Sequence, residues 1–469
     1  MAMLGKRRPP RSAPEKSRPG IGCQAAQGSG IEILRLAHDG RGIARSISGK
    51  TLFVDRALPG ERVEVAVHRS RKRFDEAHPR QVLKASPHRI APECPYFGQC
   101  GGCDLQHLVL PAQRDHKREV LIEQLTRQGI ELTVTPELVA ASGRGYRRRA
   151  RLGVKVDAQG QVHLGFRARH SHHLVDIQQC TILVPSLARL LAPLHQHLAR
   201  LGAPRQVGHI ELLASDSGPC IVVRQLRDNP VDAGVWREFA ADQRVSLAWL
   251  VGRETPRLIW LTEMPDLRYT LKSGSRELAL GFSPGDFLQV NAEINQRLVD
   301  MALEWLPLVG DEHVLDLFAG VGNFSLALAV QAAAVTGIEG SPAMVTCLAD
   351  NARRNGLWHV VARQADLGKA ESLEEMSRDS VDLVVLDPPR EGAENVCHWL
   401  AMRRVPRILY VSCDSATLAR DAARLVQGGY RITHAAVADM FPQTAHLESM
   451  LLFECDSGRD TKGGTLGHG

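Results

Sequence analysis

The sequence predicts a multidomain chain in which a small N-terminal β-barrel and an α+β middle region precede a doubly wound α/β domain. Three observations carry this. A chain of 469 residues exceeds what one hydrophobic core organises. Short alternating runs separated by turn signals fill residues 27–87, and from residue 287 strands alternate with helices. An apolar share of 44% and a charged share of 23% are those of an ordinary soluble protein. No run approaches the length of a membrane span, and the N-terminus lacks an apolar signal core, so the cytoplasm is the expected compartment.

Residues 1–26 form a basic tail expected to be disordered. Lys6, Arg7, Arg8, Arg11, Lys16 and Arg18 stand against Glu15 alone among Pro, Ser and Gly. Such a tail suits phosphates or plain solvent equally, and the overall charge of +6 does not decide between them. Residues 457–469 are a second flexible tail.

In residues 27–87, Ile31–Leu36, Thr51–Val54 and Arg62–Val67 alternate as strands do, with turns at His38–Gly42, Gly49-Lys50 and Pro59-Gly60. Strands this short and closely spaced suit a closed barrel. The segment also resembles the TRAM module, an OB-like RNA-binding barrel. Arg69, Arg71, Lys72, Arg73, Arg80 and Lys84 give it a basic edge suited to phosphates, with a solvated face as the competing reading.

Ten cysteines in a chain expected in a reducing compartment call for packing, metal or catalytic explanations. Cys23, Cys220, Cys347, Cys397 and Cys455 are scattered and read as small buried hydrophobes or bland surface. Cys94, Cys100 and Cys103 form C-x5-C-x2-C, with glycines that let the backbone wrap a bound ion or cluster. Three thiolates need a fourth partner, and spacing does not separate iron–sulfur from zinc. The pattern is not the C-x3-C-x2-C of radical enzymes.

Residues 88–286 read as a separate α+β domain. A helix is expected near 106–128, with Leu108, Val109, Val120, Leu121 and Leu125 available for an apolar stripe and the catalytic domain as a packing partner. Strands are expected at Arg149–Val156, Val162–Phe166 and Ile221–Val223. Arg147, Arg148, Arg149, Arg151, Arg167 and Arg169 place guanidinium groups where RNA phosphates or unstacked bases are bound. His170, His172 and His173 read as surface or RNA-facing rather than as a metal tract, because no second ligand cluster has suitable spacing.

Residues 287–456 carry the α/β grammar. Val314–Phe318 is a strand, Ala319–Asn323 a turn, Phe324–Val330 the start of a helix, and Val335–Glu339 the next strand. Val381–Leu386 and Arg407–Val411 supply later strands, and Ser415–Gln427 a helix. The turn Gly320-Val321-Gly322 lets a ligand approach the backbone, and Glu339 stands where an acid binds ribose hydroxyls. Ser325 replaces the third glycine of G-x-G-x-x-G. The lead-in D-x-F-x-G-x-G-x-F, from Asp316 to Phe324, is more like a methyltransferase than a dinucleotide enzyme.

Three signatures close the chain: Asp387-Pro388-Pro389-Arg390, Tyr410-Val411-Ser412-Cys413-Asp414, and Phe441–Glu448, which reads FPQTAHLE. A thiol and a carboxylate beside a methyl-donor site are what methylation of a non-nucleophilic carbon requires. Carbon 5 of uracil is such a carbon. Thiolate addition at C6 makes C5 an attacking carbon, and a base must then remove the C5 proton so that the thiol leaves. Cys413 is the candidate nucleophile and Glu448 the candidate base. A helix N-terminus or basic neighbour is expected to lower the thiol's pKa.

These motifs resemble the RNA uracil-5 methyltransferase family, with DPPR near Gly392, Y-x-S-C-[DN], and D-x-F-P-[QH]-[ST]-x-H-x-E from Asp439 to Glu448. The upstream barrel and cysteines resemble its 23S rRNA uridine-1939 branch. The resemblance implies a Rossmann-like S-adenosyl-L-methionine (SAM) domain and cofactor contacts from Gln289, Phe318, Asn323, Glu339 and Asp387. Asp366, where some relatives have Asn, is added as an acceptor for the adenine amino group. It also implies Cys180 as fourth ligand of a [4Fe-4S] site with Cys94, Cys100 and Cys103. The substrate implied is 23S rRNA, its uridine flipped into the cleft because stacking shields C6. No feature marks a membrane or a stable protein partner.

Arg390 is placed to contact the base or orient a carboxylate, and His446 to position Glu448. DPPR is also similar to the D/N-P-P-aromatic motif of adenine amino-methyltransferases, but those attack through nitrogen and need no thiol. Within the family, tRNA uridine 54 is the main competing target. Outside it, an RNA-binding redox sensor with a relic SAM fold competes, and it predicts that Cys413 is dispensable.

Overall fold

The computed structural model describes residues 30–169, 171–376 and 380–455. Both tails, Cys23 and His170 lie outside them. The chain divides into two compact units, one of residues 30–37 and 41–86, the other of residues 38–40 and 87–455.

The first unit is a six-stranded sheet whose two edges, Ile31–Glu32 and Arg35–Leu36, are consecutive in the chain. Ile31–Glu32 pairs with Arg62–Ser70 while Arg35–Leu36 pairs with Gly42–Arg45, so one short segment joins both sides of the sheet and curls it. Ile33, between them, is fully buried with Ala44, Leu52, Val54, Val63 and Ala77. The expected basic side chains, Arg69, Arg71, Lys72, Arg73, Arg80 and Lys84, are all exposed.

In the second unit, residues 149–260 build a seven-stranded sheet. Its order is Leu174–Asp176, Val162–Arg167, Arg149–Val156, Val207–Ser215, Gly218–Gln225, Ser246–Val251, Arg257–Trp260. Leu191, Leu194, Trp236 and Phe239, from two helices, cover one face. The cysteine segment is stitched to this sheet, since Gly101 N–H donates to Arg167 O at 2.9 Å. A Cβ at Gly101 would lie 2.8 Å from that carbonyl, so only glycine fits.

The larger sheet has eight strands. Five are parallel, in the order Val360–Gln364, Ala334–Glu339, His313–Leu317, Leu383–Leu386, Arg407–Ser412. Glu448–Glu454 and Arg431–Ala438 follow antiparallel, and Glu137–Val139 from far upstream closes the edge. The parallel strands are buried on both faces. Leu383, Val385, Leu409 and Val411 enter one core while Val384, Leu386, Ile408 and Tyr410 enter the other. The strand order reverses between His313–Leu317 and Leu383–Leu386, which places the ligand crevice of an open α/β sheet beyond their carboxyl ends.

The helix Leu110–Arg127 packs on this second core through Val120, Leu121 and Leu125. Each such side chain contributes about 1.5–3 kcal/mol when buried. Its remaining buried positions, Gln113, His116 and Lys117, are polar. Among the described residues no helix is long and apolar enough to cross a membrane.

Candidate active site

The glycine turn sits at the carboxyl end of His313–Leu317. Phe318 takes φ 66°, Gly320 56° and Gly322 98°. A Cβ at Gly322 would meet Leu326 Cδ1 at 2.3 Å, whereas nothing lies within 4 Å of one at Gly320, so the backbone is open to a ligand there. Glu339 accepts from Gly320 N–H at 3.1 Å and Ser341 N–H at 2.9 Å, which holds its carboxylate against the turn. Ser325, in place of the third glycine, is buried and donates to Asp316. Burial pushes the Asp316 carboxyl up to about 7.

The other expected cofactor residues differ in setting. Asn323 exchanges hydrogen bonds with Asn295 at 2.9 and 3.0 Å and accepts from Tyr269 Oη at 3.2 Å. Gln289 is buried, and its carbonyl accepts from Arg148 Nε at 2.5 Å. Asn291, two residues on, caps the helix Ala292–Trp305 by accepting from Ile294 N–H. Asp387 ends Leu383–Leu386 at the switch point, its carboxyl pushed up to about 7 by burial and then by Asp316. Asp366 is exposed, bonded to Gly368 N–H and within 3.6 Å of Lys369 Nζ.

Cys413 follows Arg407–Ser412 directly, and Asp414 caps the helix Ser415–Gln427 by accepting from Ala416 and Thr417 N–H. Glu448 opens the neighbouring antiparallel strand. The pairing runs from Arg407 opposite Glu454 to Ser412 opposite Ser449. Cys413 follows Ser412 and Glu448 precedes Ser449, so the two side chains flank the last pair of this ladder, and the Glu448 carboxylate acts electrostatically on the Cys413 thiol. Both charges of the proposed chemistry therefore share one sheet edge with Asp387 and the glycine turn.

The electrostatics of this edge departs from expectation in one respect. Burial, and after it the Glu448 carboxylate, pushes the Cys413 thiol up to about 11, although the Arg390 charge and its hydrogen bond to the thiol pull the other way. The thiol is therefore raised rather than lowered, first because it is buried and then because Glu448 and Asp387 face it. Burial, then Asp387, holds the Glu448 carboxyl well above its usual range, again opposed by Arg390. Arg390 thus faces both groups. The His446 imidazole lies below its usual range through burial and then the Arg390 charge, and its ring meets Phe441 edge-on at 6.0 Å.

The four expected metal ligands, Cys94, Cys100, Cys103 and Cys180, are half-buried free thiols. Burial and then the neighbouring Cys180 and Cys94 raise Cys100; burial, then Cys180, Cys100 and Cys94, push Cys103 up to about 12. Their mutual effect means that all four lie within electrostatic reach of one another. Gly102 N–H donates to Cys100 Sγ at 3.4 Å, and the Ile182 and Leu183 N–H groups to Cys180. Thiols with N–H donors aimed at sulfur are the donor chemistry of a thiolate-bound cluster or metal. Among the described residues no three His, Cys, Asp or Glu side chains already stand in ion-holding geometry.

Two arginines expected to face RNA are used internally. Arg148 is buried, with its guanidinium 4.5 Å over the Tyr269 ring, and Arg149 pairs with Glu211 at 2.7 Å. Arg151, Arg167, His172 and His173 are exposed. The sequence reading missed the polar grip on the FPQTAHLE loop. Lys117 Nζ lies 2.7 Å from Asp439 Oδ1, and Gln113 bonds Gln443 on both main and side chain. Polar residues on the buried face of an otherwise apolar helix were the available signal.

Residues 30–79 match the family model described as TRAM domain. Residues 112–455 match the family model described as tRNA (Uracil-5-)-methyltransferase. A protein of Chromohalobacter salexigens named 23S rRNA (uracil(1939)-C(5))-methyltransferase RlmD is 60% identical over 100% of this chain and 99% of its own. One of the same name from Halomonas elongata is 55% identical over 99% of each. The solved tRNA (uracil-54, C5)-methyltransferase of Pyrococcus abyssi, in complex with S-adenosyl-L-homocysteine, covers 91% of this chain and 100% of its own. It aligns at TM-score 0.69 and 23% identity, which shows a shared SAM-methyltransferase fold. By the extent of the family match and the identity to these relatives, the chain belongs to the uracil-5-methyltransferase family.

Proposed function

We propose that this chain methylates C5 of uridine 1939 in 23S rRNA, with SAM as methyl donor, in the cytoplasm. The observation that supports the chemistry is that Cys413 and Glu448 directly flank the last pair, Ser412–Ser449, of two neighbouring strands, with the Glu448 carboxylate acting on the Cys413 thiol. The names of the 60% and 55% identical relatives support the RNA and the position.

The Cys413 thiolate adds to C6 of a flipped-out uracil, and the C5–C6 electrons shift onto the C4 carbonyl as an enolate. SAM supplies an electrophilic methyl group. C5 takes that methyl, the carbon–sulfur bond of the donor breaks with its electrons left on sulfur, and S-adenosyl-L-homocysteine results. The Glu448 carboxylate then removes the C5 proton. The freed C–H electrons restore the C5–C6 double bond as the C6–S bond breaks, which returns the Cys413 thiolate. Arg390 favours the thiolate throughout. Gln289, Phe318, Asn323, Glu339, Asp366 and Asp387 line the donor site in this reading. Glu339 takes the ribose hydroxyls, while exposed Asp366 is a peripheral contact to adenine.

Cys94, Cys100, Cys103 and Cys180 hold a [4Fe-4S] cluster, which braces the cysteine segment to the chain after residue 180; no step of methyl transfer runs through it. The exposed basic edge of the TRAM domain binds rRNA phosphates.

Incubation with methyl-labelled SAM and unmodified total RNA, followed by mapping of the label, tests the assignment. Label at C5 of 23S uridine 1939 is expected. Label in tRNA or in adenine overturns the substrate. Cys413→Ala abolishes transfer, and Glu448→Gln leaves protein covalently attached to methylated RNA. Normal turnover in either variant removes the role assigned to that residue.

A further inference from the structure

Gln443, five residues before Glu448, holds φ 70°, a left-handed conformation that costs a non-glycine residue about 1–2 kcal/mol. Such strain persists only where the surroundings over-determine it. Here they do. The Gln443 carbonyl accepts from Asp104 and Leu105 N–H, each at 3.0 Å, and its N–H donates to Gln113 Oε1 at 3.0 Å. Its side-chain oxygen accepts from Gln113 Nε2 at 3.0 Å.

The residues around it are held as firmly. Ala445 N–H donates to Asp104 Oδ2 at 3.1 Å, and Tyr146 Oη donates to the Pro442 carbonyl at 2.9 Å. Lys117 Nζ bonds both Asp439 Oδ1, at 2.7 Å, and the Phe441 carbonyl, at 3.0 Å. Apart from the Tyr146 bond, which spans 296 residues, these contacts bridge more than three hundred residues of sequence, and their partners lie in two places, the helix Leu110–Arg127 and the residues immediately after Cys103. The grip ends where Leu447 and Glu448 enter the sheet.

We infer that Asp104, Gln113 and Lys117 are positioning residues for the second half of the reaction, fixing the 439–447 loop so that Glu448 meets the C5 proton. The inference rests on Glu448 being the base. Nucleophile addition and methyl transfer depend on Cys413, which is carried by a different strand, so loosening the loop acts on proton removal. Because Asp104 directly follows Cys103, the segment that shapes the cysteine site also sets the base.

The test uses the full chain, unmodified 23S rRNA and methyl-labelled SAM, with covalent protein–RNA adduct resolved on a denaturing gel. Asp104→Ala and Gln113→Leu are expected to lower kcat roughly 10- to 100-fold, the cost of a misplacement near 1 Å. Methylated adduct accumulates and KM for RNA stays within about two-fold. Asp104→Asn keeps an acceptor for Ala445 N–H and restores turnover. The inference is overturned if Glu448→Gln traps adduct while neither Asp104→Ala nor Gln113→Leu does, or if Asp104→Asn is as defective as Asp104→Ala. If Glu448→Gln itself traps none, the base assignment fails first and this inference with it.

Discussion

Cys413 and Glu448 flank the Ser412–Ser449 pair, and after burial it is the Glu448 carboxylate that most raises the Cys413 thiol. With the thiol pushed up to about 11, most of Cys413 is protonated near neutral pH in the unliganded site. Its alkylation by iodoacetamide, followed by mass spectrometry, should rise about ten-fold per pH unit from 7 towards 10. The signs of the neighbours then separate. Glu448→Gln removes the group whose ionised form raises the thiol, so alkylation accelerates at pH values where Glu448 is ionised in the parent. Arg390→Ala removes one that lowers it, so alkylation slows by about 3- to 10-fold. A pH-independent rate, or both variants shifting the same way, contradicts the site as drawn.

Lys117 and Asp439 are both sealed from solvent at 2.7 Å. Replacing one partner of a buried pair leaves the other charge uncompensated, which costs about 3–5 kcal/mol. Arg114 Nε, 3.0 Å from the second Asp439 oxygen, remains to share that charge, so Lys117→Met should fall near the lower end. Denaturant unfolding measures it. A midpoint unchanged from the parent would mean that the pair contributes specificity alone.

Glu339 is tied to the glycine turn by Gly320 N–H, which fixes its carboxylate beside the proposed donor site. Charge-assisted hydrogen bonds are worth about 1.5–3 kcal/mol, so Glu339→Ala should weaken SAM binding by roughly 10- to 100-fold while leaving affinity for RNA unchanged. Calorimetry with SAM and filter binding with rRNA distinguish the two. Equal losses in both would point to collapse of the turn instead.

Local pattern made much of this legible. Periodicity located the strands Arg149–Val156 and Arg407–Ser412 and the helix Ser415–Gln427, because each buries a regular face. What escaped is non-local. Glu137–Val139 is three residues long and joins the catalytic sheet only by pairing with Arg431–Ala438. Arg148 looks like an RNA-facing charge in sequence, yet it turns inward onto Tyr269. Motif proximity suggested that Cys413 has a lowered pKa, but the sign is set first by how deeply the fold buries the thiol and then by Glu448 and Asp387, which both arrive from other segments. The loop grip escaped for the same reason, since Gln113 and Gln443 are 330 residues apart.

The four thiols make a prediction that separates cluster from ion and reaches the active site. Iron–sulfur ligation gives visible absorption in anaerobically purified protein, whereas zinc on the same thiolates is colourless. A cluster or ion held by both Cys103 and Cys180 would close a long loop, worth about 4 kcal/mol in the chain-entropy picture, so Cys180→Ser or chelation should lower the unfolding midpoint. The consequence should also travel. Asp104 follows Cys103 and accepts from Ala445 N–H, so loosening the cysteine segment frees that amide. Hydrogen exchange at residues 443–445 should then quicken in Cys180→Ser while exchange in the strand Ala334–Glu339, remote in sequence and held by its own ladder, stays unchanged. Protection at Ala445 that survives Cys180→Ser and chelation would show that the helix Leu110–Arg127 alone holds the loop, and that the cysteines serve only their own segment.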